Sequence, residues 1–149
     1  MAMSTDADVK VYEPTVTSYG IQEFSAEHAK TKADIERLLR IDWWPRVRST
    51  RLNTHVSTAT TLEMDATKLT ESQFTRAAVF HALAYYILPK LTQFQTDADI
   101  FERKMGYYRD RFQEEFDLIL KDGVEYDHSG DGTIQDSEKQ TNHFNRLVR

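Results

Sequence analysis

The chain has 149 residues, no cysteine and a formal net charge of −5, with 40% of its residues apolar and 29% charged. Without cysteine it can build no disulfide framework, thiol nucleophile or cysteine-ligated zinc, and the acidic excess argues against a dedicated nucleic-acid binder, which carries a basic surplus on one face. The first residues lack a basic segment followed by an apolar one, and no run of about 18 apolar residues occurs, so neither a signal peptide nor a membrane span is expected.

Residues 1–24 carry Pro14, Gly20 and scattered β-formers such as Val9, Val11, Tyr12, Val16 and Tyr19. No helical period is sustained, and an extended N-terminal arm is expected. From Ser25, a candidate N-cap, the sequence becomes helix-prone, with Ile35, Leu38 and Leu39 at helical spacing. This helix should stop near Trp44, because Pro45 disfavours helical geometry at the residue before it. Residues 46–64 are rich in Thr and Val and read as short strands or a long loop. Thr70 and Gln73 match a capping box, followed at helical spacings by Phe74, Ala77, Ala78, His81, Ala82, Tyr85 and Leu88. Pro89 should kink or end that helix. The clearest stripe is Phe101, Met105, Tyr108, Phe112, Phe116 and Ile119, predicting a helix over 97–120, roughly 36 Å long at about 1.5 Å per residue. Asp122 and Gly123 should end it. The fold class is thus mainly α: a small helical bundle over 25–122 with a long helix in its C-terminal half, and a C-terminal segment over 123–149.

That segment opens with the most specific local chemistry in the chain. Asp127, Ser129, Asp131, Gly132 and Glu138 fall at positions one, three, five, six and twelve of an EF-hand-type calcium loop. Side-chain oxygens of Asp127, Ser129 and Asp131, the Thr133 carbonyl, a water near Gln135 and a bidentate Glu138 would together surround a hard cation. The alternative is a polar Asp/Gly turn. Gly123 and the residues after it interrupt the helix that normally enters such a loop, and there is no second loop to pair with. A structural calcium that rigidifies the start of the tail is therefore expected rather than a sensor.

The stretches FTRAAVFHALAYYILPKLTQF and DADIFERKMGYYRDRFQEEFDLILKDGVEYD resemble the head-to-tail connector, or adaptor, proteins of tailed bacteriophages. In that family an Ala- and Tyr-rich helix precedes a charged, Tyr-rich one, and the resemblance covers roughly residues 34–122. It implies a homo-oligomeric ring, commonly a dodecamer, between the portal and the next neck or tail-completion protein. Such a ring lines the channel through which DNA passes without specific binding. It also implies a virion protein assembled in the host cytoplasm, no membrane, and a portal-docking tail falling here on Phe144, Arg146, Leu147 and Arg149.

Other features have bland readings. The aromatic stripe of the long helix is more often core than interface, and Glu102, Arg103, Arg109, Asp110, Glu114 and Glu115 beside it form an ordinary solvated face. Trp43 and Trp44 read equally as interface anchors or as core and helix-end cap. His28, His55, His81, His128 and His143 are dispersed and form no HExxH motif, and His81, on an apolar face, reads as a core histidine. No GxSxG, P-loop or dinucleotide fingerprint is present, so no enzyme is expected. The alternative function is a small single-loop calcium-binding regulatory or interaction module.

Overall fold

In the computed structural model, residues 2–47, 63–92 and 100–139 are described. The fold is mainly helical, and the described residues contain no strand, only an isolated antiparallel bridge between Leu69 and Tyr126. The longer α-helices among the described residues are α1 (Asp6–Tyr12), α2 (Ser25–Leu38), α3 (Thr75–Ala82) and α4 (Ile100–Asp122). None is long and apolar enough to cross a membrane.

The helix α3 is the central element. Ala77 to Leu83 are all buried, so the helix is enclosed from its second residue pair onward, and its alanines let neighbouring backbones approach closely. The helices α1, α2 and α4 pack around it. The stripe read from sequence is the face that α4 turns inward: Tyr108, Phe112, Phe116 and Ile119 are buried, with Phe101 and Met105 partly buried against the same core.

The first 24 residues are not an extended arm. A capping box starts α1, with the Thr5 amide donating to Asp8 Oδ2 at 2.8 Å and the Asp8 amide to Thr5 Oγ1 at 3.4 Å. Met3, Val9, Val16 and Phe24 are buried. Polar bonds then fix the segment. Asp6 accepts from the Phe24 amide and lies 3.0 Å from His28 Nε2, whose Nδ1 meets Ser4 Oγ at 2.8 Å. Glu13 takes the Tyr108 hydroxyl at 2.8 Å and the Lys104 ammonium at 2.7 Å. Tertiary contacts of this kind hold a helix too short to persist alone.

Ser25 is not the N-cap of α2. Phe24 occupies that position, without a side-chain cap bond. Nor does α2 stop before Pro45. It passes through a π turn, Leu39–Trp43, and stays helical to Val47. The chain repeats the device at Leu83–Ile87 and continues as Leu88–Leu91 through Pro89. In each case the residue before proline donates five residues back, Trp44 to Leu39 and Leu88 to Leu83. The wider turn makes room for a pyrrolidine ring that would otherwise meet the carbonyl four residues earlier. Pro89 therefore kinks its helix without ending it.

Thr70 forms no side-chain cap. Gln73 instead clamps the far end of the chain: its Nε2 donates to the Gly123 carbonyl at 2.8 Å and its Oε1 accepts from the Glu125 amide at 2.9 Å. Two backbone bonds flank this clamp, Thr70 N to Glu125 O at 3.1 Å and Asp127 N to Lys68 O at 3.0 Å. The segment leading into α3 thus satisfies the Gly123 carbonyl, both backbone groups of Glu125 and the Asp127 amide, tying the chain just after α4 to the helical body. Residues 48–62, most of the stretch expected as strands or loop, lie outside the described residues.

Gly123 ends α4 in the left-handed region, at φ +110. A Cβ there would run into the carbonyl oxygen of Lys139. Gly123→Ala is expected to cost about 2 kcal/mol through backbone strain and the displaced contact. Hydrogen exchange should accelerate at the Thr70 and Asp127 amides before the helices open. Unchanged protection at both would contradict this packing.

Candidate functional site

The loop after α4 adopts a tight fold closed by its own hydrogen bonds. Asp127 accepts from the amides of Gly130 at 2.7 Å and Gly132 at 2.8 Å and from Ser129 Oγ at 3.1 Å. The Gly132 amide, followed by that of Gly130, holds the Asp127 carboxyl below its usual value. Asp131 accepts from the Thr133 amide at 2.8 Å. Glu138 spans the loop, one oxygen on the Ser129 amide at 2.8 Å and the other on the Gln135 amide at 2.9 Å. Gly130 and Gly132 supply the positive-φ turns, at +77 and +81.

The loop therefore brings Asp127, Ser129 and Glu138 together, and the oxygen chemistry suits a hard cation in kind. The arrangement is one of carboxylates facing amide hydrogens. Among the described residues no group of three or more His, Asp or Glu side chains is placed to hold a metal. A calcium ion would have to draw Glu138 from two amides.

What the position pattern could not reveal is the anchor beneath the loop. His128, a non-ligating position, is buried within an aromatic cluster. Its ring stacks on Trp44 at 6.2 Å, and Tyr126 lies 4.6 Å from it by ring centroids. Tyr126 packs on Trp43 at 5.7 Å and Trp44 at 5.2 Å. Both tryptophans are buried, at 5% and 4% exposure. Of the two readings open for that pair, core is the one realised: the segment around the first π turn anchors the loop. The Tyr126 hydroxyl also accepts from the Asp65 amide at 3.0 Å.

A second feature lies between α2 and α4. Two adjoining depressions, of about 380 and 270 Å³, form a groove between α2 and α4. Leu38 and Gln113 line both. Phe112 and His81 lie at one end, Phe116 and Leu120 at the other, and Ile41, 60% exposed, stands over it. Burial lowers the His81 pKa to about 4, against the opposing pull of the Asp34 carboxylate at 3.8 Å. Asp34 also accepts the Tyr86 hydroxyl, and this bond, with burial, raises the tyrosine to about 12. Only His81, polar on an apolar face, hinted at this place in the sequence; Asp34 and Phe112 reach it from other helices.

A third feature is a ridge on the outside of α4. Ile100, Tyr107 and Leu118 are 63%, 58% and 58% exposed. Spacings of seven and then eleven residues are close to two and three helical turns, so the three align along one side of the helix. The expected tail residues Phe144, Arg146, Leu147 and Arg149 lie outside the described residues, as do His55 and His143. Comparison with protein-family models, with curated proteins and with solved structures gives no match to this chain.

Proposed function

We propose that the protein is a structural subunit of a tailed-phage neck, a head-to-tail adaptor that assembles as a ring beneath the portal. In this reading DNA passes through the ring without chemistry, and the next neck or tail-completion protein docks on the far side. The observation that carries it is the exposed ridge of α4. This is one of the two helices on which the adaptor resemblance rests, and it leaves Ile100, Tyr107 and Leu118 in line and uncovered. Scattered surface apolar residues need no explanation, whereas a line of them along a helix of 23 residues suits a neighbouring subunit.

Calcium is the ion we assign to the Asp127 loop, held through Asp127, Ser129, Asp131, the Thr133 carbonyl and Glu138. Because His128 ties that loop to Trp44, the ion would stiffen the exit toward residues 140–149. It takes no part in a reaction. The regulatory alternative would require calcium to change the shape of the whole body.

Light-scattering mass of the protein, alone and mixed with a tailed-phage portal, in calcium and in chelator, tests both points. Ring-sized particles, or a complex formed only with portal, are expected. Tyr107→Lys with Leu118→Lys should reduce either to free subunits while leaving the helical spectrum intact. A monomer that ignores portal and changes its radius with calcium would overturn the adaptor reading in favour of the regulatory one.

A further inference from the structure

We propose that the α4 ridge of one copy of the chain seats in depressions on the far side of α4 in a second copy, so that copies join head to tail. The proposal rests on the reading of the ridge as a subunit contact, and names the surface that receives it. A third depression, of about 400 Å³, extends the groove to Ala84, Tyr85 and Pro89, with Tyr85 lining both it and the depression beside His81. From α4 it takes Glu102, Met105, Gly106 and Arg109. The depression at the other end takes Gln113, Phe116, Asp117 and Leu120, the same four positions moved on by eleven residues. Eleven residues are about three helical turns, or about 16.5 Å. Tyr107 and Leu118, exposed on the ridge, are also eleven residues apart. Two knobs and two depressions therefore share one spacing.

Direction and register select a second copy as the occupant. With about 3.6 residues per turn, the ridge and the two sets of lining residues lie about 160° apart around α4. One copy cannot seat its own ridge. Along the axis, Tyr107 falls within two residues of the middle of the first set and Leu118 within two residues of the middle of the second. A ridge laid parallel on the next copy is thus displaced by only about 2 Å. Head-to-tail contacts close into a ring when the shift along the ring axis vanishes, and two faces set short of opposite bend the row at each step.

Charge agrees with the parallel register. One flank of the ridge exposes Arg103, Asp110 and Lys121 in turn, while Glu114 among them is held by Arg111. At matching heights the receiving side carries Glu102, Arg109 and Asp117, each of opposite sign. Asp34 and Asp42 on the other wall are balanced by Arg37 and Arg46. Gly106 is an independent sign. A glycine inside a helix weakens it, yet a Cβ here would meet no other part of its own copy within 4 Å. The open space suits the Tyr107 ring of a neighbour.

The absence of native cysteine makes the test direct. Full-length chains carrying Leu118→Cys, on the ridge, are mixed with chains carrying Gln113→Cys, in the groove, and treated with a short bismaleimide. The mixed product should exceed either chain's product with itself at least tenfold. It should equally exceed the product of Leu118→Cys with Lys10→Cys, an exposed site on α1. Adding Gly106→Leu to the groove chain should remove the excess while leaving its urea midpoint no lower than the parent's, since the new side chain fills open space in a helix. A dominant product of Leu118→Cys with itself would mean that ridge meets ridge, and would overturn the head-to-tail contact. So would a mixed yield equal to the Lys10→Cys control, or an excess that survives Gly106→Leu. If rings still scattered light in those cases, the adaptor reading would stand on a different contact. An excess without rings or a portal complex would keep this contact and remove the adaptor reading.

Discussion

Phe112→Ala is expected to lower the free energy of unfolding by about 3 to 5 kcal/mol, the range for removing a buried phenylalanine from a packed core. Phe112 is 1% exposed and sits where α3 and α4 meet. Its ring is edge-on to His81 at 4.8 Å and stacked with Phe116 at 5.6 Å. Two effects combine. The lost ring forfeits its burial, and the void cannot close easily, because its neighbours are rings held by further contacts. A domain of this size has only about 5 to 15 kcal/mol to lose, so the variant should unfold at a much lower urea concentration. Leu118→Ala, on the outer ridge of the same helix, is the contrast. At 58% exposure it should shift an isolated subunit by no more than about 0.5 kcal/mol. If the two substitutions were equally costly, the inward face assigned to α4 would be wrong.

That assignment was the most legible part of the chain, and the reason is physical. A stripe sustained over several turns leaves a single face to bury, so Phe101, Met105, Tyr108, Phe112, Phe116 and Ile119 announce both the helix and its core side. The first 24 residues gave no such signal. The helix α1 buries Val9 alone, and its stability comes from Glu13, Asp6 and His28, whose partners are distant in sequence. Proline rules predicted a stop at Trp44, but the rule concerns α-helical geometry, and a π turn relieves the clash that the rule describes.

In the candidate site, the oxygen-bearing positions of the Asp127 loop could be read from spacing. Their present use could not, because a carboxylate that can ligate a cation can equally accept two amides, as Glu138 does. The Gln73 clamp and the Trp44 stack on His128 were invisible for a related reason: each joins residues dozens of positions apart, with no periodicity to connect them. The groove likewise needed three helices in place before its lining could be known.

His81 gives the second large effect, and it depends on pH. Its pKa lies near 4 in the folded chain and at about 6.5 when unfolded. Burial is the main cause, in a pocket made by Tyr85, Tyr86 and Phe112, whose ring centroids lie within 5.9 Å. The unfolded chain therefore binds a proton at a higher pH than the folded one. Stability from this residue is fully present above pH 6.5 and is lost as the pH falls toward 4, where the folded state is protonated too. Integrated over that window the loss is about 3 kcal/mol. Glu27 acts lower on the scale. Burial raises its carboxyl, but hydrogen bonding to Lys90 and to its own amide outweighs burial and leaves it below the usual carboxylate value, so its contribution is lost only in more acid solution. His81→Leu removes the titrating group while keeping an apolar filling, and Glu27 is common to both proteins. Subtracting the two stability curves, measured by urea unfolding from pH 7.5 to 4, should leave the His81 contribution. The parent should fall relative to the variant by about 3 kcal/mol across the window. Parallel curves would mean that the Asp34 carboxylate, 3.8 Å from Nε2, holds the imidazolium in the folded state as well as water does. The end of the groove beside His81 would then be polar ground rather than the apolar pocket on which the packing of α2, α3 and α4 depends.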